Sequence, residues 1–380
     1  MYEIADYARM IGFKGRTSAY ARALEAHIVP GAVVLDIGAG TGILSFLACR
    51  AGAAKVYAVE SDDIIQLARE TAADNGLSSR IEFVQGLTTE IDLPEKVDGI
   101  VCDIHGILPL HGKNVVSILD ARDRFLKPGG WILPSRETIW AALACCPSVH
   151  SSLVSTWDTE YRFDFGKARL KAVNNVRGVR LKPEDLLVPP QRWAVLDYEN
   201  LDRPSVRGDL SWPIERSATA HGVCMWFEAE TVPGSAYTNS PAAREPYVFR
   251  HAFFPWPDAV ELMPGDRVTV SVRADFMNLA YVWSWDTSVK SDSGQVKAGY
   301  RQSTFIGAVL SNERLRRRAA GFIPEPNQDW SVDRKVLGLI NSRISLGQIA
   351  DALLAEFPAQ FKSWKAALAR AADLSEKYSK

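Results

Sequence analysis

The sequence has few of the features that mark exported, metal-binding or nucleic-acid-binding proteins. Only five of its 380 residues are cysteines, and they lack the close pairing of a zinc site. An odd, scattered set of cysteines is typical of a reducing compartment rather than of a disulfide framework. The formal net charge is −1, so no global basic field indicates nucleic-acid binding. The composition therefore predicts no metal site and no nucleic-acid partner.

Long apolar runs are also missing. No stretch reaches the roughly 20 apolar residues that span a bilayer, and the first residues lack the pattern of a signal peptide. We therefore expect a cytoplasmic protein without membrane contact. What is present is an ordinary globular composition, 47% hydrophobic and 23% charged, over a length that predicts two or three domains.

The stretch VVLDIGAGTGILS, residues 33–45, is the strongest local signal. Its apolar start, interrupted by Asp36, predicts a buried parallel strand. Three glycines at alternate positions then allow a tight turn that a ligand can approach closely. Residues 43–50 predict a helix whose first N–H groups point at whatever lies over the turn. The glycines are Gly38, Gly40 and Gly42.

Two ligand classes use such a strand, turn and helix. Dinucleotide sites have the spacing G-x-G-x-x-G, whereas this turn reads G-x-G-x-G after Asp36. A carboxylate there would repel a pyrophosphate but suits a cationic ligand. The next predicted strand, residues 55–59, ends in Glu60, an acceptor for ribose hydroxyls that does not by itself distinguish NAD from S-adenosylmethionine. The whole pattern resembles motif I of the class I S-adenosylmethionine methyltransferases.

The segment MIGFKGRTSAY, residues 10–20, narrows the resemblance. It is similar to the N-terminal segment of protein arginine methyltransferases, in which a methionine lies near the sulfonium and an arginine six residues later holds the methionine carboxylate. Met10 and Arg16 keep that spacing, and a planar guanidinium suits a carboxylate. The alternative is that Met10 packs in a core and Arg16 is a solvated surface charge.

The phrases RFLKPGGWILPS and IEFVQGLTTE extend the resemblance to this family. In the family the second of these loops contacts adenine through a backbone N–H and a glutamate, and here a threonine occupies the glutamate position. The resemblance implies S-adenosylmethionine as methyl donor, with S-adenosylhomocysteine as product. The implied cofactor-binding residues are Met10, Arg16, Asp36, Gly38, Gly40, Gly42, Glu60, Ser61, Leu87 and Thr88.

The chain order predicts an α/β Rossmann-like methyltransferase domain followed by an antiparallel β-barrel domain and a small C-terminal helical or winged-helix module. N-terminal helices over residues 1–30 complete the cofactor site, and the Rossmann-like domain covers 31–135. The barrel covers 136–310, with a helical insertion at about 150–185 that resembles the family's dimerisation arm and implies a homodimer. The C-terminal module covers 311–380.

Four arginines open the C-terminal module, and such a run is most often a solvated helix face or a linker. It is too short to predict DNA binding by itself. The module is similar, through the phrase LIN-x-R-x-S-x-x-x-I-A at residues 339–350, to PqqD-like modules that hold leader peptides. A helical cap on the barrel or dimer is the alternative. The arginines are Arg314, Arg316, Arg317 and Arg318.

The acceptor site is expected after the strand VDGIVCD, which ends on Asp103. Two glutamates nine residues apart hold a guanidinium there in arginine methyltransferases, because that group, with a pKa above about 12, has no free lone pair. Asp103 corresponds to the first glutamate, and Gly112 occupies the position of the second. The family's Thr-His-Trp loop corresponds to Val248, Phe249 and Arg250. Both arginine-specific elements are altered, while the cofactor elements are kept.

Two histidines of the same loop, His105 and His111, are candidate replacements. A neutral imidazole titrates near pH ~6.5 and suits deprotonation of an amine, imidazole, phenol or alcohol. Asp103 would orient a cationic acceptor or the ring of His105. The predicted catalytic residues are therefore Asp103, His105 and His111, although hydrogen-bonded structural histidines are the alternative. His27 and His251 are expected to be structural.

We therefore predict a methyltransferase that acts on an N or O nucleophile of a peptide, protein or natural-product acceptor other than arginine. One alternative keeps arginine as the acceptor, with a carboxylate from Glu137, Glu3 or Asp120 closing the pocket. Another is a protein that binds the cofactor without turnover and grips a partner with its C-terminal module.

Overall fold

The computed structural model describes residues 3–157, 163–243 and 249–379. The chain divides into two compact units, residues 1–308 and 309–380. None of the helices among the described residues combines the length and apolarity needed to cross a membrane. The helices of the first unit are α1 Ile4–Gly12, α2 Lys14–His27, α3 Ile43–Ala51, α4 Ile65–Asp74, α5 Asn114–Phe125, α6 Pro147–Val154, α7 Gly166–Val173 and α8 Thr304–Gly307.

Its strands make one parallel and two antiparallel sheets. They are β1 Val33–Ile37, β2 Lys55–Glu60, β3 Ile81–Gln85, β4 Val97–Cys102, β5 Leu126–Leu133, β6 Arg136–Ala144, β7 Arg177–Val179, β8 Gln191–Asp197, β9 Val206–Pro213, β10 Ala218–Val232, β11 Ser235–Thr238, β12 His251–Leu262, β13 Arg267–Met277, β14 Ala280–Lys290 and β15 Val296–Ser303.

The predicted Rossmann-like domain is confirmed. Its five strands pair in parallel in the order β3-β2-β1-β4-β5. The apolar run of β1 is buried on both faces, with Val34 and Leu35 fully covered, as expected for a central parallel strand. Because β2 and β4 lie on either side of β1, the glycine turn after β1 lies where the strand order reverses. That is the position at which open α/β sheets bind ligands.

Two helices precede the parallel sheet, as predicted. The buried face of α2 carries Ala19, Tyr20, Ala23 and Leu24, and it packs on the α3 side of the sheet. The shorter α1 begins with a reciprocal capping box between Glu3 and Asp6, which satisfies N–H groups of its first turn. Its one buried residue is Met10.

The second domain contains the predicted antiparallel sheets. One has the order β7-β12-β10-β6-β8 with β11 on the edge of β10, and the other has the order β15-β14-β13-β9. Strand β13 alternates strictly between exposed and buried residues along most of its length, which is the pattern of a sheet with one face in a core. Three tryptophans, Trp212, Trp256 and Trp285, are completely or almost completely buried in that core.

The insertion between β6 and β8 is partly helical, as predicted. Helices α6 and α7 pack on each other through Leu153, Val154, Ala172 and Val173. The short strand β7 follows and joins the edge of the sheet beside β12.

The second unit has its own apolar core. Its helices are α9 Asn312–Arg317, α10 Trp330–Ile340, α11 Leu346–Glu356 and α12 Trp364–Tyr378. The fully buried residues include Val336, Ile349, Leu353 and Ala371. A capping box between Ser345 and Gln348 starts α11. The four-arginine run lies on the exposed helix α9 and the residue after it, so it belongs to a solvated surface.

Candidate active site

A cavity of about 630 Å³ lies at the carboxyl edge of the parallel sheet. The edge collects the glycine turn after β1, the end of β2, the loop after β3 and the loop after β4, while α1 and α2 cover it from the side. Eight of the ten predicted cofactor-binding residues line this cavity. They are Met10, Arg16, Gly38, Gly40, Glu60, Ser61, Leu87 and Thr88.

Asp36 and Gly42 do not line it. Asp36 is completely buried, and its Oδ2 accepts a hydrogen bond from Ser45 Oγ at 2.6 Å, whereas Oδ1 has no partner among the described residues. Burial raises the pKa of Asp36 to about 7, although the hydrogen bond from Ser45 acts in the opposite direction. Asp36 thus ties β1 to α3 behind the turn and does not line the cavity.

Gly42 acts through its backbone. It has a φ of 87° and caps the N-terminus of α3. A Cβ at this position would lie 2.7 Å from a ring carbon of Phe46, so only glycine fits both the turn and the space. The residue shapes the cavity without lining it.

Glu60 is already bound to the turn that it faces. Its two carboxylate oxygens accept the N–H groups of Gly40 at 3.0 Å and Asp62 at 2.9 Å. Each oxygen retains a lone pair for a ribose hydroxyl. On the opposite wall, the buried Thr88 hydroxyl donates to the carbonyl of Ser117 at 3.0 Å, which leaves it acceptor capacity toward the cavity.

Asp103, at the end of β4, is the centre of a buried polar network. Its Oδ2 is bonded to Nε of Arg16, and its Oδ1 accepts hydrogen bonds from Tyr237 Oη at 2.7 Å and Tyr20 Oη at 3.4 Å. Burial by itself would raise the pKa of Asp103. Arg16, His105 and Tyr237 outweigh that effect and hold the pKa well below its usual range. Asp103 is therefore an anion that is already paired within the protein.

His105 lies between two carboxylates. Its Nδ1 is 2.9 Å from Asp103 Oδ1, and its Nε2 is bonded to Oε1 of Glu137 on β6. The ring also stacks on Phe227, with ring centres 4.6 Å apart. Burial would lower the pKa of His105, but Glu137 and Asp103 raise it to about 10. The neutral imidazole that the predicted base requires is thus disfavoured, because the ring is held as an imidazolium.

The carboxylates named for an alternative arginine pocket lie elsewhere or are occupied. The second oxygen of Glu137 accepts the hydroxyl of Tyr198 at 2.5 Å, so both its oxygens are bound inside the protein. Asp120 lies on α5 and pairs with Arg124. Glu3 caps α1 and is exposed. None of these three lines either of the two cavities described in this section.

A second cavity of about 510 Å³ adjoins the first. The two share Met10, His111 and Phe249 as lining residues. The residues that line the second cavity are mainly apolar and include Ile107 and Trp283. Arg250 also lines this cavity. Of the altered Thr-His-Trp positions, Phe249 and Arg250 therefore line cavities, and Val248 lies outside the described residues. Predicted site residues Asp103 and His105 line only the first cavity, and His111 lines both.

Several site residues were missed by the sequence predictions. Tyr7, Ile11, Lys113, Asn114 and Ser117 line the first cavity. Asn114 had a usable local signal, because an asparagine at the start of a predicted helix often binds nearby backbone, and its Nδ2 is bonded to the carbonyl of Ile104.

Residues contributed by the antiparallel domain had no such local signal. Tyr237 reaches Asp103, Glu137 reaches His105 and Tyr198 reaches Glu137 only because the antiparallel domain packs against the end of the parallel sheet. Their involvement depends on tertiary structure, which the local pattern around each residue does not contain.

Comparison with known proteins agrees with this architecture. The family model described as ribosomal protein L11 methyltransferase (PrmA) matches residues 12–136. Among solved structures, the enzyme–prozyme heterotetrameric complex of Trypanosoma brucei PRMT1 with AdoHcy has a TM-score of 0.70 at 22% identity, covering 78% of this chain and 96% of that one. Arabidopsis thaliana protein arginine methyltransferase 10 also has a TM-score of 0.70, at 21% identity, covering 79% and 97%.

The sequence relatives belong to the same family as these two solved structures. The probable protein arginine N-methyltransferase 6 of Arabidopsis thaliana is 32% identical over 248 residues, which is 63% of this chain and 56% of that relative. Protein arginine N-methyltransferase 6 of Danio rerio is 33% identical over 284 residues, covering 70% of this chain and 80% of the relative. With the predicted fold and the cavity at the expected sheet edge, these matches confirm the predicted family: the chain belongs to the protein arginine N-methyltransferases.

Proposed function

We propose that the protein is an S-adenosylmethionine-dependent methyltransferase and that the donor occupies the larger cavity. Glu60 would accept the ribose hydroxyls, Arg16 would hold the methionine carboxylate, and Leu87 with Thr88 would contact the adenine. Met10 would lie beside the sulfonium. Support comes from the joint presence of these residues around one cavity and from a structural neighbour whose title names bound AdoHcy.

The acceptor is proposed to enter through the second cavity. The observation that carries this proposal is that the two cavities meet at Met10, His111 and Phe249. Methyl transfer is an in-line displacement, so the nucleophile must approach the methyl carbon from the side opposite the donor sulfur, at about 3–3.5 Å. Because the two cavities meet at one junction, a donor in the first and an acceptor in the second could face each other across the methyl carbon.

His111 is the proposed proton acceptor. It lies at the junction, and its ring packs over Gly106, where a Cβ would be 2.9 Å from the ring Cγ. It is exposed, unlike His105, which is enclosed between Asp103 and Glu137. A surface-accessible imidazole can pass a proton to solvent after each turnover, which suits a general base.

The acceptor itself is proposed to be an N or O nucleophile on a protein or peptide side chain that is not a guanidinium. Gly112 provides no carboxylate where a second acid would be needed, and the second cavity is mainly apolar, with an acidic lining residue, Asp6, that is paired with Arg9. The comparisons give no support to this finer point, because the relatives are named arginine methyltransferases. Arginine is therefore the second candidate.

The test is incubation of the purified chain with methyl-labelled S-adenosylmethionine and peptides that present Arg, His, Lys, Tyr or acidic side chains. We expect labelling of a non-arginine peptide, and loss of most of it in H111Q without loss of S-adenosylhomocysteine binding. Labelling of arginine alone would select the second candidate. Tight donor binding without turnover on any acceptor would favour a non-catalytic, partner-binding protein.

We extend the proposal to a homodimer that uses the α6–α7 segment. The T. brucei neighbour is described as a heterotetrameric complex, and the segment is helical here, as the resemblance predicted. Light scattering coupled to size-exclusion chromatography would detect the dimer, and a monomer at all concentrations would contradict it.

A further inference from the structure

The second cavity contains a cationic side chain that the proposed mechanism does not use. Arg250 lines this cavity alone, whereas the preceding residue, Phe249, lines both cavities. Arg250 is exposed, and its Nη1 donates to the carbonyl of Gly178 at 3.3 Å. It has no carboxylate partner among the residues that the structure describes. A guanidinium has five N–H donors in a planar fork, so most of them can reach a bound molecule.

Gly178, on strand β7, holds this arginine at the cavity. A Cβ at Gly178 would lie 3.1 Å from Cδ of Arg250 and 3.0 Å from Cδ1 of Ile107. The missing side chain therefore leaves room for the stem of the arginine, while the carbonyl of the same residue accepts one of its N–H groups. Packing and a hydrogen bond thus keep the guanidinium at the wall of the cavity.

The other charged group of the lining does not neutralise Arg250. Asp6 is the acidic residue of the lining, and one of its oxygens is bonded to Arg9. Its second oxygen accepts the N–H of Glu3 at 3.0 Å, so the carboxylate is engaged within α1. His111, the proposed base, is uncharged when it accepts a proton. The lining together with Arg9 therefore carries one positive charge, that of Arg250.

We infer that the acceptor is a peptide segment with an anionic side chain, a carboxylate or a phosphate, two residues from the methylated residue, and that Arg250 binds this anion. The inference rests on the proposed function and deepens it. Arg250 is a specificity-determining residue, because it would touch the substrate away from the reacting atoms. The inference holds for any acceptor nucleophile, including a guanidinium.

The size of the cavity sets the spacing of two residues. A compact cavity of about 510 Å³ spans about 10 Å, whereas an extended peptide advances about 3.3 Å per residue and returns to the same face at every second residue. An acceptor side chain at the junction near His111 and an anion two residues away therefore fit into one cavity. A side chain one residue away would point to the opposite face, and one four residues away would lie outside the cavity.

The apolar lining strengthens such an ion pair. Leu110 and Trp283 line the same cavity and are buried. A bound peptide would exclude water from this wall, which lowers the local dielectric and strengthens the attraction. Exposed ion pairs change an affinity by at most about fivefold, and the planar fork of an arginine adds bidentate geometry with a carboxylate or phosphate. We therefore expect an effect of about fivefold.

Two series of peptides test the inference, one with arginine and one with tyrosine as the central residue. Each series carries Glu, Gln, Lys or phosphoserine two residues before or after the centre. Calorimetry measures the affinity of each peptide for the full chain saturated with S-adenosylhomocysteine. Wild type should bind an anionic peptide about fivefold more tightly than the matching Gln peptide. R250Q should abolish this preference, and R250E should reverse it toward the Lys peptide.

R177Q is the matched control, because Arg177 is also exposed on β7 but is not a lining residue of either cavity. It should keep the wild-type preference. A tighter phosphoserine peptide would assign the anion as a phosphate, and a tighter Glu peptide would assign it as a carboxylate. The thermal midpoint of each variant verifies folding.

Three results would overturn the inference. They are equal affinity of wild type for the Glu, phosphoserine and Gln peptides, or no binding of any peptide; equal loss of the preference in R177Q and R250Q; and uniform weakening of all peptides in R250Q, which would indicate a structural role. Methylation of a peptide without any anion preference would leave the proposed function intact. Failure of wild type to bind S-adenosylhomocysteine would instead contradict the proposed function.

Discussion

Arg16 connects two parts of the site at the scale of a single residue. It is bonded to Asp103, and its Nη1 donates to the carbonyl of Met10 at 3.1 Å. We expect R16Q to lower the free energy of unfolding of the first unit by about 3 kcal/mol, because it removes one of the two cations that are paired with the buried Asp103. Urea unfolding followed by tryptophan fluorescence measures the change.

The double variant R16Q/D103N serves as the control for R16Q. Removing both charges leaves no uncompensated ion, so most of the lost stability should return. Binding of S-adenosylhomocysteine should stay weak in both variants, because the proposed partner of the methionine carboxylate is missing. Recovery of binding in the double variant would show that Arg16 acts only on Asp103.

Asp36 predicts an unusual dependence of stability on pH. Its pKa in the folded protein is about 7, raised by burial from the ordinary value of 3.8. A raised carboxyl pKa means that the folded state holds the proton more tightly than the unfolded state. The contribution of Asp36 to stability is then largest below the unfolded pKa and declines as pH rises through the folded one.

The corresponding test compares wild type with D36N between pH ~4 and ~7. The difference in free energy of unfolding between the two should change by at most about 4 kcal/mol over this range, at 1.36 kcal/mol per pKa unit. D36N should gain relative to wild type as pH rises, since its side chain has no charge to bury. A difference that stays constant with pH would rule out titration of Asp36 in this range.

Residue roles were predictable where a local pattern carries them. The glycine turn, Glu60 and Arg16 could be placed from spacing and resemblance, and they line one cavity. The charge of the His105 ring could not be predicted, because it depends on Glu137, which lies thirty-two residues later on another sheet. An isolated histidine in a loop suggests a neutral base, whereas two flanking carboxylates favour an imidazolium.

At the scale of a single element, helix α3 is flanked by two glycines whose substitution can be compared directly. Gly42 and Gly52 flank the helix, with φ values of 87° and 112°, so alanine is strained at both. A Cβ at Gly52 has no neighbour within 4 Å, whereas a Cβ at Gly42 meets Phe46. We expect G52A to cost about 1 kcal/mol from backbone strain alone, and G42A to cost more and to weaken binding of S-adenosylhomocysteine.

Calorimetric titration with S-adenosylhomocysteine and urea unfolding of both variants separate the two effects. G52A should keep wild-type affinity, because it lies at the far end of α3 from the cavity. Equal loss of affinity in G42A and G52A would mean that the stability of α3, and not the shape of the turn, controls binding.

Most elements could be predicted because their patterns are local. The succession of parallel strands along the chain and the N-terminal helices follow from apolar runs, glycines and turn residues, and the structure confirms them. The pairing of β11 with β10 could not be predicted, since four residues of edge strand carry little periodicity. Yet β11 carries Tyr237, which reaches Asp103.

At the scale of the whole molecule, the parallel sheet and the antiparallel domain of the first unit are joined by polar contacts. Tyr237 and Glu137 from the antiparallel domain contact Asp103 and His105 at the end of the parallel sheet. The larger cavity is thus backed by residues from both domains of the first unit, and its lining residues, from Tyr7 to Phe249, belong to that unit. Donor binding should therefore be a property of the first unit.

A chain that ends at Ala308 tests this division. The second unit has its own core around Val336, Ile349 and Leu353, and the main apolar clusters of the first unit are built from first-unit residues alone. We expect the shortened chain to bind S-adenosylhomocysteine within about twofold of the full chain, a difference below ~0.5 kcal/mol. Residues 309–380 expressed alone should give a helical circular-dichroism spectrum, and S345A should destabilise them by about 1 kcal/mol through loss of the cap. Loss of S-adenosylhomocysteine binding in the shortened chain would contradict this division. If donor binding is kept but peptide methylation falls, the second unit would be needed for the acceptor alone.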